Sequence, residues 1–305
     1  MSVDGVITWA RLFGAGRVVE LWSSDAPPPA RGKRGAVPIC WPGSLADAPL
    51  HLPLEMLALG VADVRIAPDV DDDTALALRI EQWRTLFALA GRELGEPEPG
   101  KAKRDVLTAE AMPTVQRRSL FGLGGRTTEP SEPCWEPDLS ATDHQRLRSA
   151  LRELAGDQPR LDMPDDAPGP GVQLAADGCT AQGQCVQACP QGALQLTHAG
   201  TASTLHLDVS LCDGCRRCIE FCDQRALTVE APAPWSALLD DEPTPLATVA
   251  TRTCERCRVA FHPEADETLC PVCAMRRENP FGSTLPPEAI ERLRRMRENN
   301  QGPMA

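Results

Sequence analysis

The chain has 305 residues, enough for about two domains, and it carries 43 acidic against 31 basic side chains for a formal charge of −12. That balance argues against nucleic acid or an anionic lipid surface as the main partner, because both present negative charge. No run approaches the roughly 18 apolar residues of a membrane span, and the opening MSVDGVITWARLF lacks a basic segment followed by an apolar one, so a soluble cytoplasmic protein is expected.

Residues 1–100 alternate strand and helix patterns. RVVELW (Arg17–Trp22) and AVPIC (Ala36–Cys40) are short β-prone runs, with Cys40 expected as a buried core thiol. A helix follows at Pro53–Leu59, with Leu54, Leu57 and Val61 at helical spacing and Gly60 as its stop. After a strand at Asp63–Ala67, Asp71, Asp72, Asp73 and Thr74 supply caps and N-terminal charge for a second helix. Its apolar stripe is Leu76, Ile80, Trp83, Phe87 and Ala90, ending at Gly91. This order predicts an α/β domain with a small parallel sheet. Gly14-Ala15-Gly16 and Gly122, Gly124 and Gly125 lack the context of a nucleotide-binding loop.

Residues 101–170 read as an irregular linker punctuated by Pro and Gly, with one helix at Asp143–Ala155 whose Leu147, Leu151 and Leu154 share a face. Arg117-Arg118-Ser119-Leu120-Phe121 imitates an export motif but stands too far into the chain to serve as one. A connection this long suits a chain that wraps a partner.

Eleven of the 13 cysteines then fall in C-terminal groups at metal-ligand spacing, which favours thiolate ligation over disulfides. Residues 179–196, CTAQGQCVQACPQGALQL, align on residues 212–229, CDGCRRCIEFCDQRALTV, at an offset of 33. Cys179, Cys185 and Cys189 match Cys212, Cys218 and Cys222, and the one ligand position that fails is Gln182 against Cys215. Two residues between cysteines let a turning loop aim successive thiolates at neighbouring irons while its amides point at the cluster sulfurs.

The duplication over residues 171–232 resembles the two-cluster bacterial ferredoxin family, in which the fourth cysteine of each run serves the other cluster. The resemblance implies an α+β module over residues 171–235. In it Cys189, Cys212, Cys215 and Cys218 would hold a 4Fe-4S cluster, and Cys179, Cys185 and Cys222 a second site one ligand short. A glutamine amide is a hard, neutral donor and a poor substitute for a thiolate. The expected occupant is therefore a 3Fe-4S cluster, as in seven-iron ferredoxins. The alternatives are a second 4Fe-4S cluster with a non-cysteine fourth ligand and an empty site; Cys134 is a separate candidate for a replacement ligand, against the plainer reading of an inert linker thiol. Pro190 follows Cys189 as in the family, whereas Asp223 follows Cys222, a departure expected to loosen the turn there.

Cys254, Cys257, Cys270 and Cys273 form C-x2-C-x12-C-x2-C, two thiolate pairs suited to tetrahedral Zn. The segment 250–280 resembles a zinc ribbon; a rubredoxin-like iron site uses the same ligands. Four cysteines already complete the shell, so His262 is not expected to bind the metal. Residues 281–305 form a tail with a helix expected at Pro287–Asn299, Ile290, Leu293 and Met296 along one side. The segment VPICWPGSLADAPLHLPLEMLALGVADVRIAP also resembles the delta iron-sulfur subunit of methyl-viologen-reducing hydrogenases, without that family's cluster cysteines. It implies a docking role for residues 1–100.

The leading expectation is an iron-sulfur electron-transfer subunit with no catalytic residues of its own. It would pass single electrons between a carrier and a partner oxidoreductase of hydrogenase, formate dehydrogenase or other molybdenum-enzyme type. The rivals are an assembly factor whose metals only hold its shape and a redox-responsive nucleic-acid-binding regulator. The acidic balance weighs against the last, although Arg252, Arg256, Arg258, Arg276 and Arg277 make the zinc module locally basic.

Overall fold

The structure, a computed structural model, describes residues 3–68, 74–103, 105–113, 135–156, 168–240, 242–279 and 291. The acidic cap at Asp71–Asp73, Cys134, the Arg117–Phe121 motif, Gly122, Gly124, Gly125 and the Pro287–Asn299 segment, Glu291 apart, lie outside the described residues.

An unanticipated helix, α1 (Val3–Trp9), buries Val6, Ile7 and Trp9 and passes into one wide turn at Ala10–Gly14. A Cβ on Gly14 would sit 2.9 Å from Val61 Cγ2, so glycine lets the chain pass this point. The strands follow as β1 (Val18–Ser23), β2 (Arg31–Gly32), β3 (Ala36–Trp41), β4 (Asp63–Ile66), β5 (Ala102–Lys103) and β6 (Leu107–Thr108). Four of them make the expected small parallel sheet in the order β4-β1-β3-β6, and β2 pairs with β5 as a separate ribbon. The edge strand β6 comes from the region read as linker.

Helices α2 (His51–Ala58), α3 (Thr74–Leu89) and α4 (Asp143–Ala155) pack with alternate strand residues Val19, Leu21, Ile39 and Val64 into one core. Leu76, Trp83 and Phe87 of the predicted stripe are buried, with Ile80 packed against them. Cys40 is a correction: it sits opposite Trp22 in the β1–β3 register, and both are only half-buried, because they point away from that core.

The fourth helix has the predicted bounds and a full capping box, in which Gln145 N donates to Thr142 Oγ1 and Thr142 N to Gln145 Oε1. Its Leu147, Ala150 and Leu151 are buried in the first core. It also brings Arg146, 6% exposed, against Glu55 of α2, which is 0% exposed. The guanidinium donates through Nε and Nη2 to the two carboxylate oxygens at 2.8 and 2.7 Å, and through Nη1 to Asp4 at 3.1 Å. His51 Nδ1 lies 3.1 Å from Glu55 Oε2, off hydrogen-bond alignment, and its Nε2 is 3.3 Å from Asp143. Burial pushes the Glu55 carboxyl up, but His51 and Arg146 outweigh it and hold the group below the ordinary carboxylate range.

A second core lies under the cysteine repeat. Each half is strand, cysteine loop, short helix, strand: β7 (Pro168–Ala176), α5 (Gln184–Ala188) and β8 (Leu194–Ala199), then β9 (Ala202–Leu207), α6 (Arg217–Glu220) and β10 (Leu227–Pro234). Antiparallel pairing joins β7 to β10 and β8 to β9, and β11 (Thr244–Ala250) adds a third strand beside β9. Val172, Leu174, Leu194, Leu205, Leu207 and Leu227 fill the interior with Cys185 and Cys218.

The two cores are tied together through α4 and the turn Trp235–Leu239. Trp235 and Leu238 leave the repeat and bury themselves in the first core. The His144 ring bonds the Ser210 carbonyl at 3.0 Å, and Arg152 donates to the Asp240 carbonyl. Beyond β11 come β12 (Arg252–Thr253), its antiparallel partner β13 (Ala260–Phe261) and α7 (Pro271–Glu278). Among the described residues, no helix is long and apolar enough to cross a membrane.

Candidate metal centres

The repeat is written in the backbone as well as in the cysteines. Left-handed conformations recur at the same offset of 33: Ala181 (φ 54°) with Gly214 (74°), Gly183 (76°) with Arg216 (59°), and Gly192 (68°) with Arg225 (52°). These turns double the chain back so that peptide N–H groups face sulfur. Ala181 N donates to Cys179 Sγ at 3.4 Å, and the equivalent pair Ala193 N and Ala226 N donate to Cys189 and Cys222 at 3.3 Å each. At Gly214 the close approach is absolute, since a Cβ would stand 2.3 Å from the Pro170 carbonyl oxygen.

Three of the seven repeat cysteines gather at one pocket. Cys179, Cys185 and Cys222 line it with Gln182, over a floor of Leu196 and Leu227. Burial pushes the Cys185 thiol up to about 11, reinforced by the neighbouring Cys179 and Cys222 sulfurs. Around Cys218, also pushed up to about 11, burial comes first and the charges of Cys212, Cys189, Cys185 and Cys215 follow. Cys222 therefore shares a pocket with two cysteines of the first half, and Cys189 and Cys185 of the first half both act on Cys218 of the second. Gln182 is exposed at the pocket mouth, and Cys215 is the one exposed thiol among the seven.

The departure at Asp223 has a different consequence from the one expected. Gln184 Nε2 donates to Asp223 Oδ2 at 2.7 Å and Asp223 N faces Gln184 Oε1 at 3.4 Å, a clamp between the halves at the mouth of the three-cysteine pocket. On the other side Asp213 accepts from Cys215 N at 3.1 Å and from Gln191 Nε2 at 3.0 Å. Hydrogen bonds from Gln191 and Cys215 overcome burial and hold the Asp213 carboxyl below its ordinary range.

The third group is the four-cysteine set, whose Cys254, Cys257, Cys270 and Cys273 sulfurs lie within 4.8 Å of one another and could hold a metal ion. The β12–β13 hairpin places the first pair. The second pair brackets the start of α7, where Cys270 is the N-cap and Pro271 the first helical residue. Phe261 is the one buried side chain besides three of the cysteines, so this segment has almost no apolar core. The backbone N–H of Cys257 is the largest influence on Cys254; with those of Cys270 and Arg256 it draws the thiol down to about 6 against the effect of burial. Cys273 is pushed up to about 12 by burial, then by hydrogen bonding with the other three sulfurs. A metal ion binding to these thiolates would displace the protons the thiols carry. His262 turns away and bonds the Ala250 carbonyl through Nδ1 at 2.8 Å.

Sequence reasoning passed over Gln184 of the clamp, Asp213 with its bonds to Gln191 and Cys215, and the tie through His144. The alignment does place Gln184 against Arg217, a difference of character that signals unlike surroundings for the two halves. No protein-family model matches the chain, and no match to a curated protein was found.

Proposed function

We propose that the chain is an iron-sulfur electron-transfer protein that docks on a larger oxidoreductase. The observation that carries this reading is the gathering of Cys179, Cys185 and Cys222 at one pocket, together with left-handed turns that recur in both halves and peptide N–H groups that donate to Cys179, Cys189 and Cys222. In this reading Cys189, Cys212, Cys215 and Cys218 hold a 4Fe-4S cluster. Cys179, Cys185 and Cys222 hold a 3Fe-4S cluster, with Gln182 where a fourth thiolate would stand. The donor set fits: soft thiolates on small, part-buried loops with N–H groups directed to them are what such clusters require. Bound clusters supply one-electron transfer at potentials set by ligands, hydrogen bonds and burial. The residues' own work is to hold the thiolates, shield them with Leu196, Leu205 and Leu227, and tie the site to the first core through α4. Cys254, Cys257, Cys270 and Cys273 are read as a structural Zn site, closed by four thiolates with no open position for substrate.

The test is metal and sulfide analysis of anaerobically prepared protein, with EPR. Roughly seven Fe and about one Zn per chain are expected. About four Fe would mean the Gln182 site stays empty, and about eight would mean another ligand completes it. A chain that takes up no iron when reconstituted with ferrous ion and sulfide would end the electron-transfer reading.

A further inference from the structure

The duplication supplies an internal control for what each half displays to solvent. At two equivalent left-handed positions the first half has Gly183 and Gly192, the residues that such backbone favours, while the second half has Arg216 and Arg225. Space does not force the difference, because a Cβ on Gly192 would meet nothing within 4 Å. Along the same stretch Gln184 is replaced by Arg217 and Ala188 by Phe221, which is 60% exposed. The first-half segment 182–192 has no charged residue, whereas 215–225 has Arg216, Arg217 and Arg225 with Glu220 and Asp223. Asp223 is held by Gln184. The three arginines are exposed, and among the described residues none has a side-chain ion-pair partner. Arg216 and Arg217 directly follow Cys215, the exposed thiol of the seven, while Arg225 stands between Gln224 and Ala226 at the rim of the three-cysteine pocket.

We propose that the turn-helix-turn from Cys215 to Arg225 is a docking face for a small redox protein whose own redox group is rimmed with carboxylates. The inference rests on the electron-transfer reading and adds to it a place of entry or exit, the loops of the second half of the repeat rather than those of the first. Two residues accept strained backbone in order to keep a guanidinium where glycine would be easier, and strain of that kind concentrates at functional positions. Arginine and an exposed aromatic are the side chains that anchor protein interfaces. On a chain of charge −12, a local basic rim directs an acidic partner to one side and repels it elsewhere.

The experiment uses the full-length, cluster-loaded protein and immobilised poly-L-glutamate as the carboxylate surface, over a salt series, with duplex DNA in parallel. Binding should fade with salt. The pair Arg216→Gly and Arg225→Gly should weaken it about tenfold with a Tm unchanged or higher, since glycine relieves the backbone. The pair Arg216→Lys and Arg225→Lys should keep most of the binding. A lower Tm with unchanged binding would show that the arginines serve the fold and would overturn the proposal. So would tighter binding to DNA than to poly-L-glutamate, or an equal loss from Arg276→Gln with Arg277→Gln on α7. Iron content of the same samples separates the two claims: loaded protein with unaffected binding sinks the docking face alone, and absence of iron sinks the electron-transfer reading.

Discussion

Arg146→Met tests how the cysteine-repeat half is held to the parallel sheet. The substitution keeps length and apolar character but removes the guanidinium that gives Glu55 two hydrogen bonds at 2.8 and 2.7 Å inside the first core. Glu55 is then a fully buried carboxylate with only His51 beside it. Breaking a buried pair from one side costs about 3–5 kcal/mol, a large share of the roughly 5–15 kcal/mol available to a folded domain. Against this, Leu147 and Leu151 continue to seat α4, at about 1.5–3 kcal/mol each. The variant should therefore fold but melt early, and α4 should loosen from the repeat it holds through His144 and Arg152. The assay is urea denaturation followed by tryptophan fluorescence at several pH values and fixed metal loading.

The pH dependence gives the sign. In the native chain the Glu55 carboxyl is held below its ordinary range, so its contribution is present above the unfolded pKa, near 4.3, and is lost as pH falls through the folded value. In Arg146→Met burial dominates and the pKa rises above the unfolded one. The penalty is then largest at neutral pH and shrinks on acidification, so the gap between native protein and variant should narrow as pH is lowered. The companion pair Glu55→Leu with Arg146→Met should recover much of the loss, because it leaves no unpaired carboxylate. A loss below about 1 kcal/mol, or a gap that widens in acid, would show that the pair behaves as an exposed one and would refute the reasoning.

Three further outcomes follow from the metal centres. Gln182→Cys should add about one iron per chain and remove the oxidised 3Fe-type EPR signal; an unchanged spectrum would assign control of the site to the Gln184–Asp223 clamp. Gly214→Ala should abolish loading of the four-cysteine set, since its Cβ would stand 2.3 Å from Pro170 O, whereas Ala181→Gly at the equivalent φ of 54° should leave iron content intact and raise stability by about 0.5–1 kcal/mol. Removal of metal from the native chain by a strong chelator, or Cys254→Ser, should make residues 252–279 protease-sensitive while buried-tryptophan fluorescence from the first core stays unchanged; loss of both signals together would mean the tetracysteine segment supports more than itself.

Periodicity was enough to read the parallel sheet and the bounds of α4, because apolar spacing and a Thr-x-x-Gln cap are local properties. What α4 packs against was not legible. In DHQRLRSALRELA the arginines resemble one another, and only the fold makes Arg146 the one that enters the core. A signal was present elsewhere: Glu55 is the lone acid in HLPLEMLA, a helix apolar on nearly every side, and such a carboxylate must find a cation from a distant part of the chain. Had that demand been followed, the segment around residue 146 would have been placed in the sheet domain rather than in a linker.

The same distinction separates what the cysteine spacing discloses from what it hides. Alignment at an offset of 33 sets Gly183 against Arg216 and Gly192 against Arg225, but as letters these are ordinary divergence between repeats. Backbone φ gives them meaning, since the left-handed turn persists where the residue that favours it has gone. A duplicated fold keeps both halves alike wherever the cluster loops require it and lets them diverge where only the surroundings differ. At the three-cysteine pocket the divergence put Gln184 and Asp223 in hydrogen-bond contact across the mouth. Elsewhere in the second half the divergence left Arg216, Arg217, Arg225 and Phe221 exposed, and Cys215 is exposed as well. If both halves carry clusters, that asymmetry sets them in unlike surroundings, one with the Gln184–Asp223 hydrogen bonds across its mouth and the other beside the exposed Cys215.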